Sequence, residues 1–356
     1  MPQLIHLTPP QFSSEHIKEK ITCIRAHRER IFRVSHVRYQ VKKRMPNQII
    51  FIGYLIALIC YTSTPQFTQC LEQKLLLHFD VNQTIIAIDS AQDKNIEDSI
   101  NMILASFTYE QWEGSPNKQS YARYIADKIM QENPLLHPND PAFMHIKNEF
   151  IKNYPHYLEK YPSILGIYAQ EKTLMLKNLS MYEMGIFPSF FKVISWLNTH
   201  FPNNYTIYLR TFGKDLREIV PALEKQSTLR FAAQTECLKD ALLSMRKNTQ
   251  LFELCTNIPH KHFAIRDDYF YWKAHEFKIQ GGKPFPIDLT NPYIISMFFD
   301  DNAGNRFRSI ICPIGINGEI IDPQELIKKG NIVVVNSKQA ILDEDYFINK
   351  IKAMLP

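Results

Sequence analysis

Glycine is scarce in this chain, at 11 of 356 residues, or about 3% where a typical protein has about 7%. Neither G-x-G-x-x-G nor G-x-x-x-x-G-K-[ST] occurs, so the dinucleotide fingerprint and the P-loop both lack the glycines that bring backbone N–H groups against a phosphate. Any phosphate chemistry must therefore use side chains. The six cysteines form no C-x-x-C and no close Cys/His grouping, which excludes the usual structural zinc sites. Cys237 and Cys255 would pair in an oxidising compartment or stand as buried thiols. No apolar run reaches the roughly 18 to 20 residues that span a bilayer, and no internal repeat is visible. With 45% hydrophobic and 22% charged residues the chain is too apolar to be disordered. Its length suits about two domains, or one with a large insertion.

The charge is unevenly placed. Residues 1–44 hold ten Lys or Arg against Glu15, Glu19 and Glu29, a balance of +7 within a total of +5. The body of the chain is therefore nearly neutral. A basic arm for nucleic acid or anionic lipid is one reading, but no recognisable nucleic-acid module accompanies it, and nucleic acid is disfavoured as a partner. Ile49–Cys60, IIFIGYLIALIC, follows directly and is uncharged. Residues 49–63 read as a signal-like h-region or a short membrane anchor with a basic flank, or as a buried core segment. Residues 1–66 are thus a basic leader or arm with a short hydrophobic segment. An exported or membrane-anchored location is favoured over a cytoplasmic one, and oligomeric state is not encoded in any legible feature.

Beyond Cys70 strands and helices alternate. Lys74–Phe79 is an apolar strand ending in Asp80, and IIAI resumes the apolar character after Thr84. Residues 95–200 read mostly as helices, at Ile96–Thr108, Tyr121–Gln131, Ala142–Glu159 and Pro188–His200, with apolar residues three and four apart and prolines at the breaks. Strands return at Tyr205–Leu209, His262–Ile265, Tyr269–Trp272, Tyr293–Phe299 and Asn331–Val335. Helices are expected at Leu216–Lys225, Thr235–Lys247 and Asp343–Met354. This pattern predicts an α/β core of parallel strands, residues 67–94 and 201–356, interrupted by a helical insertion at 95–200. His260 and His262 lack a third ligand and read as a surface pair. Asp267 and Asp268 read as turn residues beside the aromatics Tyr269, Tyr271 and Trp272.

Open parallel sheets bind ligands at the carboxyl ends of their strands. Polar residues directly after buried runs are therefore the informative ones: Asp80 with Asn82 and Thr84, then Thr211, Lys283, and Asp300 with Asp301. Carboxylates at adjacent strand ends suit Mg²⁺, a hard ion that prefers oxygen ligands. A hydroxyl and a lysine suit phosphoryl oxygens, and an aspartate oxygen can attack phosphorus.

In order, HFDVNQTI, TIYLRTFG, GKPFP and MFFDDNAGN with Asn305 downstream resemble the four motifs of the haloacid dehalogenase-like (HAD) superfamily of phosphatases and phosphotransferases. The resemblance covers about residues 70–340. It implies a Rossmann-like core with an inserted helical cap and a small phosphorylated substrate. It further implies Asp80 as the nucleophile forming an aspartyl-phosphate, and Thr211 and Lys283 on the phosphoryl group, with Lys283 also orienting Asp80. Mg²⁺ would be held by Asp80, the Asn82 backbone carbonyl, and Asp300 or Asp301. One departure stands out. The family's phosphatases usually carry an aspartate two residues after the nucleophile as the general acid and base, and this chain has Asn82. An amide cannot donate and recover a proton there, so the resemblance admits a phosphatase for substrates with good leaving groups, recruitment of another acid such as His78 or Asp89, or a catalytically impaired phosphate-binding protein.

Overall fold

The computed structural model describes residues 73–87, 95–232, 235–236, 262–305 and 308–356. The basic head, the apolar run at 49–63, Asp89, His260 and the Cys237–Cys255 pair lie outside the described residues. Among the described residues no helix is long and apolar enough to cross a membrane. Leu71–Pro356 forms one compact unit.

Its centre is a six-stranded sheet, β1 (Lys74–Asp80), β4 (Tyr205–Thr211), β5 (Thr235–Glu236), β6 (Phe263–Arg266), β8 (Ile294–Asp300) and β10 (Ile332–Val334). The strand order is β10-β8-β1-β4-β6-β5, and every pairing is parallel. This is a mixed α/β fold compatible with a Rossmann-like core. After β1 the chain builds β4, β5 and β6 on one flank, then crosses back to lay β8 and β10 on the other. The carboxyl ends of β1 and β8 therefore meet where the order reverses, the usual place for a ligand in such sheets.

Period-two alternation divides each strand between two layers. Leu75, Leu77 and Phe79 of β1, Ile207 and Leu209 of β4, and Met297 and Phe299 of β8 are fully buried in the larger core. They meet helices α6 (Pro188–His200), α10 (Ser337–Leu342) and α11 (Tyr346–Lys352), with Phe79 edge-on to Phe190 and Phe347. On the opposite face Phe298 and Ile332 pack with Trp272, Phe285, Ile311 and Leu326. There a separate parallel pair, β7 (Lys283–Pro286) with β9 (Ile311–Ile314), covers the sheet beside helices α8 (Tyr269–Ala274) and α9 (Pro323–Lys329).

Between β1 and β4 the chain runs through α1 (Ile96–Phe107), the two-residue strands β2 (Tyr109–Glu110) and β3 (Gln119–Ser120), α2 (Tyr121–Glu132), α3 (Pro141–Lys152), α4 (Tyr154–Tyr157), α5 (Pro162–Leu179) and then α6. Helix α7 (Leu216–Gln226) follows β4. Asn95 caps α1 by accepting from the Asp98 N–H at 2.8 Å, and Ser120 does the same for α2 at Arg123. The interior of the insertion is aromatic: Trp112, Tyr121 and Tyr154 are almost fully buried, with Tyr121 stacked on Tyr154 at 4.5 Å.

Three expected elements need correction. Ala142–Glu159 is not one helix, because α3 ends at Asn153 and the short α4 starts anew with Pro155 in its first turn. KYPS does mark a break, at the non-helical Tyr161, and its proline starts α5, since its fixed φ suits a first turn. Tyr269–Trp272 is helical, because Asp268 accepts from the Tyr271 N–H at 3.0 Å and caps α8. The expected helix from Thr235 begins instead as the edge strand β5, and its remainder lies outside the described residues.

His262 is buried, not a surface residue. Its Nδ1 accepts from the Ile207 N–H at 3.1 Å, so the proton of the neutral ring sits on Nε2. Burial pushes its pKa down to about 4. Unfolded histidine takes a proton near 6.5 and the folded one only near 4, so the unfolded chain binds more protons between these values. Stability is therefore expected to fall as pH drops from about 6.5 to about 4, by at most about 3 kcal/mol from this residue. Denaturant unfolding of the wild type and His262→Phe across that window should show a shallower acid decline in the variant; equal declines would remove His262 from the account.

Candidate active site at the strand ends

Asp80 closes β1, Asp300 closes β8, and Asp301 is the next residue. One oxygen from each lies within 4.8 Å of the others. Lys283, the first residue of β7 and 1% exposed, reaches in from the covering layer. Its Nζ donates to Asp80 and, at 3.0 Å, to Asp300 Oδ2. Gly282 allows this entry, because a Cβ there would stand 2.8 Å from the Ile310 carbonyl oxygen.

The loop after β1 turns back on itself through Gln83, whose φ is +57°. The turn brings the Thr84 hydroxyl to accept from the Asp301 N–H at 3.2 Å, which ties the first acidic loop to the second. Thr211, at the end of β4, donates from Oγ1 to Asn82 Oδ1 at 3.0 Å and accepts from the Gly213 N–H at 2.8 Å. The other end of the Asn82 amide donates to Asp215 Oδ2 at 3.1 Å. Asn82 is thus held between a hydroxyl and a carboxylate that fix which way its amide faces. Gly213 leaves room for this carboxylate: a Cβ would lie 2.3 Å from Asp215 Oδ2 and displace it from Asn82.

Burial dominates the electrostatics. It pushes Asp80 up to about 7, opposed by the charge of Lys283 and reinforced by that of Asp300. Burial, then the charges of Asp300 and Asp80, holds the Asp301 carboxyl well above the ordinary range. For Lys283 burial disfavours the ammonium, but Asp300 and Asp80 outweigh it and raise its pKa. Three carboxylates thus face one ammonium. Asp301 Oδ1 is buried with no hydrogen-bond partner, a costly state for an anionic oxygen. An all-oxygen donor set with surplus negative charge and an orphaned oxygen fits a hard divalent cation such as Mg²⁺.

All six residues expected from sequence (Asp80, Asn82, Thr211, Lys283, Asp300 and Asp301) converge. His78 does not join them. Its ring stacks on Tyr208 at 4.3 Å and on Phe298 at 5.4 Å, and burial with the nearby Arg210 charge holds its pKa well below the histidine range. It is a core residue and no proton donor to the site. Sequence reasoning missed Asp215, which stands at the N-cap position of α7 but makes no side-chain cap bond and turns to Asn82. It also missed Arg210, whose Nη2 and Nε reach the Asp267 carboxylate at 2.5 and 3.1 Å. Arg210 Nη1 donates to the Pro284 carbonyl at 2.7 Å, beside Lys283. Asp267 is thus a buried ion-pair partner and not a turn residue. A legible signal existed, because an arginine inside the buried run YTIYLRT must be paired.

The fold and site together define an α/β protein with a buried carboxylate–lysine centre at the switch point of a parallel sheet. No family description, no curated protein and no solved structure matches the chain.

Proposed function

We propose that the chain is a Mg²⁺-dependent phosphatase or phosphotransferase of the HAD type, with Asp80 as nucleophile and residues 95–200 as its cap. One observation carries the reading: Asp80, Asp300 and Asp301 meet at the ends of adjacent parallel strands, Lys283 reaches them from the covering layer, and Thr211 ends the strand beside Asp80. In this reading an Asp80 carboxylate oxygen attacks phosphorus as the bond to the leaving oxygen breaks. Lys283 orients Asp80 and, with Thr211, neutralises charge on the phosphoryl oxygens. Asp80, Asp300, Asp301 and the Asn82 carbonyl would hold Mg²⁺. The ion, when bound, screens the carboxylates from the phosphate and polarises the phosphoryl group. Water then opens the aspartyl-phosphate, or an acceptor hydroxyl takes the phosphoryl group.

Asn82 sets the limit on rate. Its amide is fixed by Thr211 and Asp215 and offers no proton to a leaving group, and general acid catalysis typically contributes about 10² to 10⁴. p-Nitrophenyl phosphate, with a good leaving group, is expected to turn over in Mg²⁺ and not in EDTA, and a simple alkyl phosphate to be at least roughly 10²-fold slower. Metal-independent turnover would overturn the reading. Binding of inorganic phosphate with no turnover of either ester would favour the second reading, a HAD-fold phosphate-binding protein, to which the fixed Asn82 amide also points.

A further inference from the structure

The loop that follows Asp300 and Asp301 carries Arg308 to the helical insertion. Arg308 Nε donates to Asn139 Oδ1 at 2.5 Å, in the loop that leads into α3, and its guanidinium lies over the Phe277 ring at 4.8 Å. Lys147 stands on α3, and Arg123 on the adjoining α2. All three are half-buried. Arg123 pairs with Asp127 at 2.9 Å. Arg308 and Lys147 have no carboxylate partner among the described residues. Burial lowers the pKa of Lys147, and the charges of Arg308 and Arg123 lower it further; burial also lowers that of Arg308. Half-buried cations that repel one another without a counter-charge are costly, and an anion of the ligand would relieve that cost.

The place is joined to the carboxylate centre by an aromatic shelf. Phe277 packs edge-on to Trp272 at 5.0 Å, Trp272 stacks on Phe212 at 5.0 Å, and Phe212 lies 5.1 Å from Lys283 Nζ.

We infer that Arg308 and Lys147, at the seam between insertion and core, form a second anion site, and that the ligand is a phosphomonoester bearing a second anionic group, phosphate or carboxylate. The site rests on the phosphoryl-transfer reading for the position of the first phosphate, which would sit at Lys283 and Thr211. The second anion would lie across the shelf, held by Arg308 from the core and Lys147 from the insertion, so that only a two-headed ligand bridges the two parts.

Calorimetric titration of the full chain carrying Asp80→Asn, in Mg²⁺ buffer, tests this without turnover. Fructose 1,6-bisphosphate is compared with fructose 6-phosphate, and 6-phosphogluconate with glucose 6-phosphate; the first pair reads a phosphate tail and the second a carboxylate tail. At least one two-headed ligand is expected to bind roughly ten-fold tighter than its partner. The preference should vanish in Arg308→Gln and in Lys147→Gln and survive in Lys147→Arg. Equal binding within both pairs, or a preference that persists in both glutamine variants, would overturn the second site. Metal-independent turnover of p-nitrophenyl phosphate by the wild type would instead overturn the catalytic reading, so the two failures are distinguishable.

Discussion

An Asp80→Asn chain is expected to lose Mg²⁺-dependent turnover of p-nitrophenyl phosphate by roughly 10⁴-fold or more, the scale at which removing a nucleophile leaves only binding and electrostatic effects. The same substitution should leave the folded state as stable or more so. Asp80 is 6% exposed and its pKa stands near 7, well above the value near 4 of an unfolded aspartate. The folded chain therefore binds more protons between about pH 4 and 7, and stability is lost as pH rises through that window. Asparagine removes the charge and this loss with it, while Lys283 keeps Asp300 at 3.0 Å. Paired measurements of kcat/KM and of denaturant unfolding at pH 5 and pH 8 separate the two effects. Activity within ten-fold of the wild type would exclude Asp80 as nucleophile. A large loss of stability at pH 8 would make it a structural ion-pair partner instead.

Why so much of this centre was legible follows from the geometry of parallel strands. A buried strand must be apolar on both faces, so LLLHF, TIYL and ISMFF stand out, and the polar residues that follow each mark the carboxyl end of the sheet. Asp80, Thr211, Asp300 and Asp301 were found in that way. Lys283 was grouped with them, and also stands in GKPFP, but it ends no strand of the sheet: it opens β7 in the separate covering pair of β7 with β9. The errors have local causes. Tyr269–Trp272 has a strand-like composition, but Asp268 offers an N-cap and the segment coils into α8. Asp215 went unread because nothing in its sequence context marks it, and only the three-dimensional approach of Asn82 brings it into the site. Scarce glycine takes on meaning in the same terms. Gly213 and Gly282 make room for the Asp215 carboxylate and the Ile310 carbonyl, not for a phosphate cradle.

Lys283→Met should reverse the balance at this centre. Lys283 is the sole cation touching Asp80 and Asp300 among the described residues, and methionine fills a similar volume without charge. Three carboxylates would then share a buried volume with nothing to offset them, and removing one partner of a buried ion pair typically costs about 3 to 5 kcal/mol. The loss should be larger at pH 8 than at pH 5, because burial favours the protonated form of Asp80, whose pKa stands near 7, and holds that of Asp301 well above the ordinary range. A divalent cation bound by the folded state alone restores stability by mass action, about 2.7 kcal/mol at a hundred times its dissociation constant. The variant is therefore expected to unfold several degrees lower than the wild type in EDTA and to recover a larger share of its Tm on addition of Mg²⁺. If Mg²⁺ moves the Tm of neither protein, the Asp80–Asp300–Asp301 cluster is not a cation site, and its surplus charge must be met by protons alone.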